Sequence, residues 1–202
     1  MTTETPRRQQ IEDAASALFR ERGYAATSVR DIAQALDMQG GSLYAHVASK
    51  EDMLWAIVVR AADRFNAQVA PIAAANEPAR AKLRAMIGAH VAVVTGAQKD
   101  AAVFLHEWRF LSAERRAQVA ARRDNYEQLF RRVIADGSAS GEFVGVDPRL
   151  TAMAILSALN GIATWYRPDG PLSADEVADQ HADLFINGLT DHEPNFIMRS
   201  FG

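Results

Sequence analysis

The 202-residue sequence contains no cysteine. That excludes a disulfide framework and any thiolate metal site. It has only 5 histidines, none at metal-ligand spacing from a second histidine or a carboxylate motif. His181 and Asp183 are near neighbours in sequence but fall on different faces of a helix. There is no glycine-rich phosphate loop and no nucleophile elbow. The expectation is a protein with no catalytic residue, no metal site and no cofactor. No apolar run approaches the ~20 residues of a membrane span. Residues 1–8 also lack the apolar stretch of a secretory signal, so a cytoplasmic protein without a membrane partner is expected. There is no excess of positive charge, the net value being −3. In the N-terminal region Arg7, Arg8, Arg20, Arg22, Arg30 and Lys50 are outnumbered by Glu4, Glu12, Asp13, Glu21, Asp31, Asp37, Glu51 and Asp52. Composition therefore argues mildly against a nucleic-acid partner.

What the sequence does have is helical period. The segment from Ser28 to Leu54 organises the rest. Val29, Ile32, Ala33 and Leu36 fall at the spacing of one buried helical face. Ser28 precedes that face as an N-cap, with Asp31 three residues on, as in a capping box. Asp37-Met38-Gln39 breaks the pattern. A second short helix carries Ser42, Leu43, Tyr44 and His46, with Leu43 and Val47 inward and the polar residues outward. Ser49 then caps a long helix, with Asp52 at its third position. Two short helices joined by so tight a turn make a helix-turn-helix, whose second helix is shaped for a DNA major groove.

Phe19-Arg20-Glu21-Arg22-Gly23-Tyr24, Thr27 to Ala33, Gly41 to Val47 and Ser49-Lys50-Glu51 together resemble the DNA-binding domain of the TetR family of bacterial repressors. The resemblance implies operator contacts from Ser28, Arg30, Gln39, Gly40, Gly41, Ser42, Tyr44, His46 and Lys50. Tyr44 and Lys50 would meet phosphate, and Ser28 and Ser42 would donate hydroxyls. The Gln39 amide suits bidentate pairing with adenine. The chain departs from the family pattern at four positions: Asp37 for the usual glycine, Gln39 for a small hydroxyl residue, Gly40 for lysine and Val47 for phenylalanine. Asp37 is among the residues that tolerate a left-handed turn.

The chain in order reads as all-α, with about nine helices and two domains: residues 1–50, the three-helix reading domain, and residues 51–202, a ligand-binding and dimerisation domain. Pro6, after Thr5, opens the first helix, and Gly23 closes it. Arg7 and Arg8 oppose its dipole and are read as phosphate contacts or a solvated pair. Leu54, Ile57, Val58, Ala61, Phe65, Val69 and Ile72 predict a fourth helix from Lys50 to about Ala74. It is long enough to act as a lever, with Pro71 kinking or ending it. Leu83 to Val94 mark helix five. Ala101, Phe104, Leu105, Trp108 and Leu111 mark helix six. Val119, Tyr126, Leu129, Phe130 and Val133 mark helix seven, ended by the run Gly137 to Gly141. Asp147-Pro148 opens helix eight, which runs to Trp165 or Tyr166. Ser173 and Glu176 cap helix nine, which ends near Gly188. The tail from Thr190 is aperiodic. Helix eight is apolar nearly all round, so it needs a partner beyond its own core. Helix nine offers Val177, Leu184, Phe185 and Leu189 on one stripe. A homodimer through residues 148–166 and 174–189 is expected, as the resemblance also implies.

Polar residues on apolar stripes suggest a pocket for a small molecule. His90, Phe104, Trp108, Arg122, Tyr126, Phe130, Asn160, Thr164 and Trp165 are the candidate ligand-binding residues. The run Trp165 to Ser173 is similar to the same position in TetR-type repressors of fatty-acid, phenylacetate or steroid catabolism, which respond to acyl-coenzyme A thioesters. The expected function is a repressor that binds a palindromic double-stranded operator as a dimer and is released by a small, largely apolar effector such as an acyl-coenzyme A. The alternative is a DNA-binding factor whose second domain only dimerises.

Overall fold

Short polar side chains set where the helices begin. Ser28 accepts the Asp31 N–H at 3.2 Å while its own N–H donates to the Asp31 carboxylate at 2.7 Å, a complete capping box. Ser49 accepts the Asp52 N–H at 3.0 Å. Asp147 accepts the Leu150 N–H at 2.8 Å, ahead of Pro148 at the first helical position. Ser173 and Glu176 close a second reciprocal box. Each satisfies an N–H that the helix itself cannot, a contribution of ~1 kcal/mol.

The structure, a computed structural model, describes residues 6–190. Among them are nine α-helices, one 3-10 turn and no strand. They are α1 (Pro6–Arg22), α2 (Val29–Ala35), α3 (Gly40–Leu43), α4 (Lys50–Ala73), α5 (Ala79–Gly96), α6 (Gln98–His106), the 3-10 turn Trp108–Phe110, α7 (Ala113–Ser140), α8 (Pro148–Trp165) and α9 (Ala174–Thr190). The expected tail beyond Thr190, and Thr5, lie outside the described residues.

Ile11, Ala15, Phe19, Ile32, Leu43 and Val47 form the core of α1–α3, the head. They pack with Met53, Leu54 and Ile57, the buried start of α4. Farther along, Phe65 and Val69 of the same helix belong to the core of α5–α9, the body. α4 therefore belongs to both parts, and a division at residue 50 falls on its first residue. In the body, α5 is central and packs on α4, α7, α8 and α9.

Several boundaries differ from the sequence reading. α3 spans only four residues: Tyr44 is its C-cap and His46 lies in the turn beyond. α6 stops at His106, so Trp108 sits in the 3-10 turn and Leu111 follows it as a buried anchor. Pro71 does not end α4, which runs two residues past it. α7 continues through Gly137 to Ser140 and ends at Gly141 with φ +78°. Gly137 is there for space: a Cβ would overlap the Phe143 ring. On α9 the expected stripe divides, with Val177 and Leu189 buried but Leu184 69% exposed.

Candidate nucleic-acid interface and cavity

α2 and α3 meet at a turn in which Asp37 takes φ +53°, the left-handed conformation that lets so short a link reverse the chain. An open groove between the two helices is lined by Arg30, Asp37, Gly41 and Tyr44, among others. Gln39 is exposed and makes no side-chain cap to α3. Ser42, Tyr44 and His46 are exposed too, Tyr44 at 56% for a large aromatic. Gly40 opens α3. The outer side of the head is thus a cluster of hydrogen-bonding side chains around a short helix.

Two of the expected operator contacts, Lys50 and Ser28, are committed to the head itself. Lys50 turns inward: its ammonium donates to the carbonyls of Tyr24 and Thr27, both at 2.8 Å, and lies 4.1 Å from the Tyr24 ring centre. Burial lowers its pKa. The Ser28 hydroxyl donates to Asp31 at 2.6 Å, and that bonding holds the Asp31 carboxyl below its usual range. Arg7 and Arg8 bond to Gln10 and Glu12.

The body contains a partly open cavity of about 420 Å³ between α4, α6, α7 and α8, with α5 at its base. Of the expected ligand residues, His90, Phe104, Arg122, Tyr126 and Asn160 line it. The other four do not. Phe130 is fully buried behind His90 and Tyr126. Trp108 follows the end of α6 and is overlaid by Arg123. The exposed Thr164 bonds back to the Gly161 carbonyl. Trp165, 49% exposed, stacks on His181 at the surface. Sequence reasoning missed Phe65, Asn66, Arg123, Leu156 and Ser157 of the lining. In the sequence Phe65 reads as part of the lever stripe, and Arg123 as one of a run of arginines on helices six and seven that either meet coenzyme phosphates or form a solvated face.

His90 lies at the floor, 2% exposed. Its Nδ1 is 2.9 Å from the Tyr126 hydroxyl, and its Nε2 has no partner. If Nδ1 carried the proton, both Nε2 and the Tyr126 proton would go unanswered. With the Tyr126 O–H donating to Nδ1, only the Nε2–H does. That tautomer leaves the fewest orphans and presents a donor. Desolvation pushes His90 down to about 3, against a weaker opposing influence from Asn160, although no group reaches Nε2 in hydrogen-bond geometry. Burial raises Tyr126, so both groups are neutral at physiological pH.

Two sets of contacts tie the head to the body beside α4. On one side Arg60 of α4 reaches Glu12, Asp13 and Asp100. On the other, Arg115 of α7 pairs with Glu51 and Asp52 at the start of α4. There too the Glu107 carboxylate accepts the Tyr24 N–H at 2.9 Å, and Phe110 stacks on Tyr24 at 5.4 Å.

The family profile described as "Bacterial regulatory proteins, tetR family" matches residues 11–57. A second, described as "Tetracyclin repressor-like, C-terminal domain", matches residues 76–189. The chain belongs to the TetR family. It is a helix-turn-helix DNA-binding transcriptional regulator. Among TetR-family relatives, the "HTH-type transcriptional repressor KstR2" of Rhodococcus jostii (strain RHA1) is 31% identical over 185 residues, 91% of each chain. The solved "ketosteroid transcriptional regulator KstR2 of Mycobacterium tuberculosis" matches with a TM-score of 0.87 at 28% identity, covering 93% of this chain and 96% of that one. The structure "of AibR in complex with isovaleryl coenzyme A and operator DNA" matches at 0.80 and 31%, covering 91% and 98%. A ketosteroid regulator among the relatives supports the narrower resemblance to regulators of steroid and fatty-acid catabolism. No helix among the described residues of this TetR-family chain is long and apolar enough to cross a membrane.

The buried histidine has a pH consequence. Below pH ~6.5 the unfolded chain takes up a proton on His90, whereas the native chain refuses it until about 3. Native stability is therefore lost as pH falls through this window. From pH 7 to pH 5 the loss from this one group is about 2 kcal/mol. Denaturant unfolding across that range should show His90→Phe with a flatter acid limb by about this amount; parallel limbs for the two proteins would contradict the buried neutral imidazole.

Proposed function

We propose that the chain is a transcriptional repressor that binds a palindromic operator as a homodimer and is released by a small, largely apolar effector. An acyl-coenzyme A is the effector class we favour. The observation that carries this reading is the cavity, because its walls are the elements that hold the head. Phe65 and Ala62 of α4 and Phe104 of α6 line it, while Arg60 and Asp100 on the same two helices bind α1. A factor that only dimerised would have no need of a cavity there. The AibR structure contains isovaleryl coenzyme A, which supports the effector class.

On DNA, Gln39 reads a base edge from the start of α3. Arg30, Ser42, Tyr44 and His46 meet phosphate around it, where the backbone of Gly40 and Gly41 permits close approach. Ser28 and Lys50 act one step behind, by capping α2 and fixing the chain before it. The head, residues 1–50, is the reading unit, and the body from residue 51 senses and dimerises. The two reading helices must sit ~34–36 Å apart to enter successive major grooves. α4, at ~36 Å long, transmits a change in the body to that spacing.

The dimer is supported by what α8 and α9 leave uncovered. Leu150, Met153, Trp165 and Leu184 are 45–69% exposed, with Ser157 and Gly161 between them on α8. Leu156 lines the cavity, and Met153 and Ser157 border both the cavity and the patch. An isologous contact across these helices buries the patch. Sedimentation should show a dimer at micromolar protein, and Leu184→Glu should shift it towards monomer. A wild-type monomer at that concentration contradicts the interface.

Gel shifts on an operator selected from random DNA test the reading face. Tyr44→Ala should weaken selected and unselected DNA alike. Gln39→Ala should cost ~1–3 kcal/mol at one base position and relax specificity there. Unchanged binding by both variants would remove α3 from the interface.

A further inference from the structure

The cavity wall holds a partly buried cation with no ion pair or hydrogen bond among the described residues, the adjacent Asp124 acting on it only electrostatically. Arg123 lies on α7 with its guanidinium carbon 5.4 Å from the Phe104 ring centre and 5.5 Å from that of Trp108. Its Nη1 is buried without a hydrogen-bond partner. Its neighbours on α7 are all engaged: Arg115 with Glu51 and Asp52, Arg116 with the Leu111 carbonyl, and Arg122 with Asp63 at 2.6 Å. Asp63, Asp124 and Glu127 also belong to the lining, but among the described residues none forms an ion pair with Arg123. A guanidinium stays charged at any physiological pH. Two aromatic faces recover part of the cost of burying it, yet they leave its in-plane N–H groups free for an acceptor.

Beyond Phe104 the surface continues inward as aromatic rings. Phe104 and Phe65 are 5.7 Å apart, and Phe65 and His90 are 4.8 Å apart. A molecule laid along this floor would have its apolar body over two phenyl rings and one end beside a fixed cation.

We propose that Arg123 is an anion anchor, and that the cavity takes an apolar molecule with a carboxylate or phosphate group at one end, paired to the Arg123 guanidinium. This rests on the reading that the cavity holds an effector. It moves the polar anchor from Arg122, which its neighbour Asp63 already occupies, to the adjacent position. An anion on a guanidinium makes charge-assisted hydrogen bonds that no neutral group matches, so the anchor selects acids and their phosphorylated conjugates over uncharged apolar molecules.

Two dyes isolate the charge. Anilinonaphthalenesulfonate and phenylnaphthylamine share an apolar body and differ by the sulfonate. Fluorescence titration of the full chain should show the sulfonate binding Arg123→Met about tenfold more weakly than wild type, with the uncharged dye held by both to within about twofold. Arg123→Gln gives the same readout if the Met variant does not fold. An equal loss of both dyes, or no loss of either, overturns the anchor. Failure of the uncharged dye to bind wild type overturns the cavity reading beneath it, so the two failures are distinguishable. Octanoate and octanoyl-coenzyme A then compete with the bound sulfonate. Displacement by octanoate assigns the site to a carboxylate, and displacement by the thioester alone assigns it to phosphate. Displacement by neither overturns the ligand class.

Discussion

A carboxylate buried as deeply as that of Glu12, at 1% exposure, has to be met by positive charge. Arg8 supplies it from one turn earlier at 3.0 Å, and Arg60 from α4 at 3.3 Å. Arg60 also reaches Asp100 of α6 at 2.9 Å, and Asp100 accepts the Ser16 hydroxyl of α1 at 2.7 Å. Three helices thus share one set of charges. Removing Arg60 would leave the buried Glu12 carboxylate with Arg8 and release α4 from α1, a destabilising loss. α1 therefore holds to α4 and α6 as one piece, and the head follows what those two helices do.

That constraint gives the cavity its position in the proposed mechanism. Phe65 and Phe104, the two rings of its floor, come from the same two helices. An occupant that alters their separation acts on the Arg60 cluster at one side of the head. On the other side it acts on the Tyr24 contacts made by Glu107 and Phe110. Transmission then runs through α6 and the 3-10 turn as well as along α4. The head's scarcity of positive charge fits this picture. With Lys50 turned inward, the proposed mechanism relies on the placement of two reading helices more than on a basic surface.

Much of this was legible in the sequence, because caps and helical period are local properties. Ser28 with Asp31, Ser49 with Asp52, and Ser173 with Glu176 each mark a helix start that the structure keeps. Asp37 could be read as a left-handed turn from its side chain alone. The boundaries that moved depend on contacts distant in sequence. Gly137 reads as a helix end until Phe143 is seen packed against it. The cavity was half legible: polar residues on apolar stripes pointed to His90, Arg122 and Asn160, which line it, and to Thr164, which does not. Arg122 and Arg123 are adjacent, however, and only the fold shows that Asp63 occupies the first while aromatic rings enclose the second. Phe65 belongs to a continuous stripe of α4 whether it faces a core or a cavity, so periodicity could not separate the two.

The proposed release from DNA requires a coupling between the cavity and the operator, and binding linkage measures that coupling directly. The affinity of octanoyl-coenzyme A would be determined by calorimetry for the protein alone and for the protein held on its selected operator. If occupancy of the cavity displaces the head, the free protein binds the thioester ~5–150-fold more tightly, a coupling of ~1–3 kcal/mol. Equal affinities in the two states, with the thioester bound in the cavity, would contradict it.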